Sequence, residues 1–277
     1  MKQRIVFFGS GYYVIPIVEK LRQHNLQLVV TTEVEGKFVT YLEKNNIPFI
    51  QSRLKEKIDI EKIEQLKPTL GILASYGAII PKKIISIFPL GIFNIHPSLL
   101  PKYKGPSPVQ FTILNGDKKS GTTIIKLDDK VDHGPILGQI EMSLNGDETM
   151  LVLTEKLFFL GASLIEKIIQ KLEKGTEFQE IPQDHKKELW TQKIEKKDGS
   201  IDLNKLPNSE DLDRKIRAFF PWPGIYLTAS LGGEKKLIKL FPQKKIQVEG
   251  KNAVSYKDFI NGYGKDAKNV LEKLKLT

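Results

Sequence analysis

Asn94 and His96 stand two residues apart at the end of the apolar run in FNIHPSLLPKYKG, residues Phe93 to Gly105. Alternate residues of a strand share a face, so the amide and the imidazole project together. The carboxyl end of a parallel strand is where open α/β sheets hold their ligands. There an amide can donate to a developing oxyanion, and an imidazole that titrates near neutral pH can carry a proton. Pro97 and Pro101 fix φ around Ser98, Leu99 and Leu100, so this backbone reads as a rigid wall for a flat ligand. A polar cluster, DDKVDHG (Asp128–Gly134), follows the apolar TTIIKL. A carboxylate from it would orient and charge-stabilise the imidazole, as the acid of a catalytic triad does. A lone histidine is more often a hydrogen-bonded structural residue. The amide on its face and the carboxylates downstream make this one a candidate for proton transfer.

These residues need a frame, and the first half of the chain alternates strand and helix. RIVFFG (Arg4–Gly9), LQLVVTT (Leu26–Thr32), TLGILAS (Thr69–Ser75) and GIFNIH (Gly91–His96) are short apolar runs of the kind found in buried parallel strands. Between them, Val14, Ile17, Val18 and Leu21 fall at helical spacing, Phe38, Tyr41 and Leu42 begin a second helix, and Ile58–Leu66 a charged third. NIPFIQ is a short extended piece. TTIIKL and PILGQIEM (122–127 and 135–142) have no helix between them and should pair antiparallel at a sheet edge. The fold class this implies is α/β, with a Rossmann-like, mostly parallel sheet and right-handed crossovers. A long helix follows, with Asp147 as its expected N-cap and a stripe of Leu153, Leu157, Leu160, Leu164, Ile168 and Leu172 ending at Gly175. The expected domains are a catalytic domain over 1–178, a polar linker over 179–203 and a small C-terminal domain over 204–277. The last contains a short helix (Asp211–Phe219), the turn PWPG (Pro221–Gly224) and short strands with lysine-rich turns.

Composition limits the chemistry. The chain has 277 residues, 40% hydrophobic and 27% charged, as in ordinary globular proteins. No cysteine is present, which excludes disulfides, thiol nucleophiles and Cys-based zinc sites. Four histidines scattered at 24, 96, 133 and 185 have no metal-ligand spacing, so no metal is expected. The start, MKQRIVFFGSG, has too short an apolar run for a leader or a membrane span, which gives an expectation of a cytoplasmic protein with no membrane partner. Net charge is +10, and residues 181–277 hold 20 Lys and Arg against 13 Asp and Glu. A basic last third points to a polyanionic partner such as nucleic acid. Gly9 and Gly11 after the first strand begin a dinucleotide fingerprint, with Glu33 at the distance of the ribose-binding acid. The third glycine is missing, since position 14 is Val14, so that motif carries little weight.

Asn-x-His-x-Ser-Leu-Leu-Pro, with Asp132 in a DxG turn 36 residues after the histidine, resembles the 10-formyltetrahydrofolate-dependent formyltransferases. RIVFFGSGYYVIPIVEKL, ASYGAIIPKKI, KIEKKDGSIDL, IRAFFPWPG and VEGKNAVSYKDFINGY are similar, in the same order, to the methionyl-tRNA formyltransferases among them. KIEKKDGSID with IRAFFPWPG discriminates, because the glycinamide ribonucleotide members end near the first domain. The resemblance implies Asn94 as ligand of the formyl oxygen, His96 as proton-transfer group, and Asp132 as support for His96 and an ordered water. His133 is off the pattern and is expected at the surface. The implied folate slot is lined by Ser75, Tyr76 and Gly77, by Ser98, Leu99, Leu100 and Pro101, and by Asp128 and its loop, with backbone groups as hydrogen-bond partners. The implied acceptor is initiator methionyl-tRNA, met by Lys193, Lys196 and Lys197 of the linker and by Lys235, Lys236, Lys244 and Lys245 of a reduced, β-barrel-like C-terminal domain. The protein is expected to act as a monomer. Two departures bear on the acceptor: only about five residues, Thr32 to Gly36, follow the second strand where the family has a long basic loop, and Gly224–Gln243 has room for about two strands. An N-formyltransferase acting on an amino sugar nucleotide is the alternative reading, and a non-catalytic RNA-binding protein a further one.

Overall fold

A computed structural model describes residues 2–176 and 179–276. The expected end of the catalytic domain at 178 lies outside the described residues. The elements are β1 (Ile5–Gly9), α1 (Ile15–Arg22), β2 (Leu26–Thr31), α2 (Lys37–Lys44), β3 (Phe49–Gln51), α3 (Lys57–Gln65), β4 (Leu70–Ala74), α4 (Lys82–Ile85), β5 (Ile92–His96), α5 (Pro108–Leu114), β6 (Lys119–Lys126), β7 (Ile136–Ser143), α6 (Met150–Glu173), α7 (Ser209–Ala218), β8 (Ile225–Leu231), β9 (Glu234–Phe241), β10 (Lys245–Val248), β11 (Val254–Ser255) and α8 (Tyr256–Leu274). The chain divides into two compact units. One takes the chain up to Gly105 with Lys119–Met142 and Thr154–Trp190; the other takes Pro106–Lys118, Ser143–Leu153 and the chain from Thr191 on.

The first unit is built on a seven-stranded sheet of order β3-β2-β1-β4-β5-β6-β7. β3, β2, β1, β4 and β5 run parallel, and β6 joins β5 antiparallel. Alternation along the strands feeds two cores, one on each face. Phe7, Phe93, Ile95 and Ile124 pack with Ile17, Leu21, Phe158, Ile165 and Ile169 from α1 and α6. Val6, Phe8, Val30 and Ile92 pack on the other face with Ile63, Ile84 and Phe88. The extended piece NIPFIQ contributes β3 as an edge strand.

The long helix starts later than the sequence suggests. Met150 opens α6, so Asp147 is exposed before it and does not cap it. Thr149 takes that place: its carbonyl accepts from Leu153 N–H at 2.9 Å and its hydroxyl from Val152 N–H at 3.4 Å. Asp147 is one of several capping residue types in LNGDET, and Thr149 is the one that directly precedes the first helical residue.

In the second unit α5 packs on α7. A four-stranded antiparallel sheet of order β11-β10-β9-β8 carries α8 against its buried side. The two strands expected between Gly224 and Gln243 are β8 and β9. Helix α8 is not anticipated by residue spacing: Gly262 and Gly264 interrupt its helical period, and Gly264 has non-helical angles (φ 55°) inside it. Ser255 nevertheless starts it cleanly, its hydroxyl accepting from Asp258 N–H at 3.1 Å. No described helix is long and apolar enough to cross a membrane.

Gly161 lets α6 lie close on the strand that bears Asn94 and His96. A Cβ there would sit 2.5 Å from Ile95 Cγ2 and 3.1 Å from Thr122 Cγ2. Neither branched side chain can swing clear in a packed core. Gly161→Val should therefore destabilise the fold by about 1–3 kcal/mol through overpacking, read as a lowered midpoint in chemical denaturation.

Candidate active site

Asn94 and His96 leave β5 on the face where Ile92 enters the core, while Phe93 and Ile95 are buried on the other. A one-residue slip would drive both polar side chains into the opposite core, so the register is strongly specified. Asn94 is 8% and His96 4% exposed. Asp132 comes from the β6–β7 connection with φ 47°, a left-handed conformation that non-glycine residues adopt rarely. A Cβ on nearby Gly134 would run into the Lys126 carbonyl, so the DxG turn needs its glycine.

This turn sets the Asp132 carboxylate among three groups. Asn94 Nδ2 donates to Oδ1 at 3.2 Å, Gly105 N–H donates to Oδ2 at 2.9 Å, and His96 Nδ1 lies 3.5 Å from Oδ1. The other ring nitrogen, Nε2, is 2.9 Å from the Tyr103 carbonyl. A carbonyl only accepts, so Nε2 carries a proton and Nδ1 is the nitrogen turned towards Asp132, an assignment that follows from the network. The three residues singled out from the sequence are thus brought together.

The expected folate-slot residues divide. Ser75 and Gly77 are exposed at the end of β4, with Ser75 Oγ 3.0 Å from Tyr13 Oη. Tyr76 turns into the core instead, edge-on to Phe8, its hydroxyl donating to the Ser52 carbonyl at 2.7 Å. Burial pushes its phenol pKa well up, so it remains a neutral donor. The Ser98–Pro101 backbone is largely engaged within the chain. Ser98 N–H bonds the His96 carbonyl, the Ser98 carbonyl accepts from Thr123 Oγ1 at 2.6 Å, Leu100 N–H donates to Thr123 Oγ1, and the Leu100 carbonyl accepts from Gln139. These bonds tie the segment to β6 and β7. Asp128 closes its own loop, accepting from Lys130 N–H at 2.9 Å and pairing with His133 Nδ1 at 2.5 Å. Lys82, opening α4, pairs with Asp129 of the same loop at 3.2 Å. At the fingerprint-like turn, Gly11 N–H donates to Glu33 Oε1 at 2.7 Å. The amide that would meet a dinucleotide phosphate is engaged by the chain's own carboxylate.

Residues 3–169, which contain Asn94, His96 and Asp132, match the family described as formyl transferase. The methionyl-tRNA formyltransferase of Chloroflexus aurantiacus is 40% identical over 238 residues, covering 80% of this chain and 75% of the relative. The chain belongs to the methionyl-tRNA formyltransferase family. Among solved structures, a 4-N formyltransferase from Francisella tularensis shares the fold with a TM-score of 0.70 at 20% identity, covering 88% of this chain and 99% of that one. An N-formyltransferase from Helicobacter canadensis, solved with folinic acid and dTDP-3-aminofucose, shares it at 0.63 and 19%, covering 89% and 95%.

The lysines proposed from sequence lie on the second unit of this formyltransferase, in separate places. Lys193 is exposed, and Lys196 and Lys197 begin a one-turn 3₁₀ helix where Lys197 pairs with Glu195 at 2.6 Å. Lys235 and Lys236 open β9, with Lys236 half-buried against Glu234 at 3.0 Å. Lys244 and Lys245 lie beyond its far end, where Lys245 pairs in register with Phe241. At about 3.3 Å per residue the two lysine pairs are roughly 20 Å apart. Lys239, which the sequence reading passed over, lies between them. It shares a sheet face with Lys235 and, through the Phe241 register pair, with Lys245. Its signal was the alternation in EKKLIKLF.

Gln183 was missed altogether, because it stands in a polar stretch that reads as spacer. Its Nε2 donates to the carbonyls of Asp132 at 2.9 Å and Gly134 at 2.8 Å, clamping the turn that holds the carboxylate. Gln183→Leu keeps the volume and removes the donor. It should cost about 1–3 kcal/mol and speed amide exchange across 131–134, seen by hydrogen exchange with mass spectrometry.

Proposed function

We propose that this enzyme transfers the formyl group of 10-formyltetrahydrofolate to the amino group of initiator methionyl-tRNA, for translation initiation. The observation that carries the reading is the convergence of Asn94, His96 and Gly105 on the Asp132 carboxylate, in a chain 40% identical to a methionyl-tRNA formyltransferase over three-quarters of that relative. The folate donor is the family's, and the folinic acid of the Helicobacter structure supports it.

In this reading the amine attacks the formyl carbon, and the carbonyl oxygen becomes an oxyanion stabilised by the Asn94 amide and by the charge of a protonated His96, whose Nδ1 faces Asp132 in the resting site. The tetrahedral adduct then breaks its bond to the folate nitrogen. One proton leaves the attacking amine and one arrives on the departing nitrogen; the His96–Asp132 pair serves as the relay. Nε2–H stays on the Tyr103 carbonyl and keeps the ring from rotating. Ser75, Gly77, the Ser98–Pro101 wall and the Asp128–Asp132 loop line the folate slot, with Tyr76 shaping it from behind.

Residues 204–277 form the reduced tRNA-binding domain in this reading, reached through the linker at 179–203. Phosphates of tRNA meet Lys193, Lys196, Lys197, Lys235, Lys236, Lys239, Lys244 and Lys245. With only Thr32–Gly36 between β2 and α2, these lysines carry most of the affinity. The enzyme works in the cytoplasm as a monomer.

Incubation with 10-formyltetrahydrofolate and either charged initiator tRNA or an amino sugar nucleotide should yield formylmethionyl-tRNA. Formylation of the sugar nucleotide alone would transfer the assignment to that acceptor. Asn94→Ala should lose about 10²–10³ in rate as an oxyanion donor, and His96→Ala about 10²–10⁴ as the acid–base group; near-wild-type turnover by either folded variant would remove its role. Replacing Lys235, Lys239 and Lys245 together by Gln should flatten the slope of log K against log salt by about 2–3, at roughly 0.7–0.9 per phosphate contact, measured by filter binding over a salt series.

A further inference from the structure

Lys104 is fully buried, at 0% exposure, and the proposed chemistry gives it no task. A lysine is almost never fully buried unless it is paired. Its Nζ donates to Glu188 Oε2 at 2.8 Å and to His185 Nδ1 at 3.1 Å, and lies 5.7 Å from the centre of the Trp190 ring. Glu188 is fixed in turn, its other oxygen accepting from Trp190 Nε1 at 3.1 Å. The hydrogen bond from Lys104 is the main reason that the Glu188 pKa falls to about 2. Lys104 N–H also donates to the Leu189 carbonyl at 2.8 Å. Backbone and side chain of this one residue are therefore both fastened to the segment 185–190.

The residues on either side of Lys104 hold the reacting groups. The Tyr103 carbonyl accepts from His96 Nε2, and the Gly105 N–H donates to Asp132 Oδ2, each at 2.9 Å. Tyr103 and Gly105 are both in positive φ, at 63° and 98°, and Tyr103 has no intrinsic preference for that conformation. Such a turn persists only where its surroundings over-determine it. The same cluster reaches Asp132 from the far side: the His185 ring stacks on His133 at 4.1 Å, and His133 is the next residue after Asp132.

We propose that Lys104 is a positioning residue for formyl transfer, its buried ammonium locking the Tyr103–Gly105 turn that fixes the His96 ring and the Asp132 carboxylate. The proposal rests on the formyl-transfer reading for its kinetic consequence and on geometry alone for its structural one.

The test combines steady-state formyl transfer by the full chain with nitrogen NMR of its imidazoles, which number only four and in which His96 is identified by its loss in His96→Ala. Lys104→Met should lower kcat by about 10–100-fold, as misplaced reacting groups do, leave KM for both substrates within about threefold, and shift the His96 nitrogen signals. Lys104→Arg keeps the charge and should restore most of kcat and the wild-type signals. Glu188→Gln weakens the anchor without touching the lysine and should give a smaller change of the same kind, so it carries the test if Lys104→Met does not fold. Folded Lys104→Met or Glu188→Gln with kcat within twofold of wild type and unmoved His96 signals would overturn the proposal, even if the melting temperature fell. A wild-type protein that formylates nothing would remove the functional reading, while the His96 signals would still decide whether Lys104 holds the ring.

Discussion

A buried carboxylate needs donors, and Asp132 has them from two other parts of the chain. Its oxygens meet the Asn94 amide, the His96 ring and the Gly105 N–H, none of which is its neighbour in sequence. In a low-dielectric interior an ionised group left without such partners is strongly disfavoured. The site is therefore coherent: moving any one contributor strands the others. The surrounding oddities follow from this requirement. Asp132 adopts a left-handed backbone, Gly134 leaves room for the Lys126 carbonyl, and Gln183 ties down both carbonyls of the turn.

The sheet makes that convergence precise. β5 lies inside the sheet with β4 and β6 on either side, so its end cannot drift. Its buried residues alternate between two cores, and Gly161 brings α6 down onto Ile95 directly behind the two polar side chains. Side chains on a strand are held more tightly than side chains on a loop. The loop partners are tied by hydrogen bonds to the segment 181–190, the Asp132 turn through Gln183 and the Tyr103–Gly105 turn through Lys104. That segment, itself part of the first unit, is joined to the rest of it through the Ile136–Ile181 and Lys104–Trp190 bridges.

The second unit follows a different logic. Its sheet buries Ile225, Leu227, Ile238, Leu240 and Ile246 on the side that meets α8, and turns Lys235, Lys239 and Lys245 outward. Period-two alternation, rather than any single residue, creates this basic face. Long lysine side chains suit contacts with phosphates, which need charge and reach more than fixed geometry.

Much of this was legible in the sequence. Short apolar runs broken by helical spacing determine the parallel sheet, because burial on both faces leaves no other periodicity. The spacing of Asn94 and His96 determines that they share a face, while it is the family resemblance that singles out Asp132 among the carboxylates of DDKVDHG. Tertiary structure alone decided which nitrogen of His96 faces Asp132, since that depends on the Tyr103 carbonyl folding back onto Nε2. It also decided the roles of residues whose types mislead. Gln183 reads as spacer and nothing local singles out Lys104, because their partners, the Asp132 turn and Glu188 with His185, lie 49 to 84 positions away. The side chain of Tyr76, a residue that the resemblance places at the folate slot, lies in the core against Ser52 and Phe8. α8 was hidden because two glycines break a helical pattern that only packing against a sheet restores. Local sequence carries period and turn chemistry; which distant group will satisfy a buried donor or charge is settled only when the chain has closed around it.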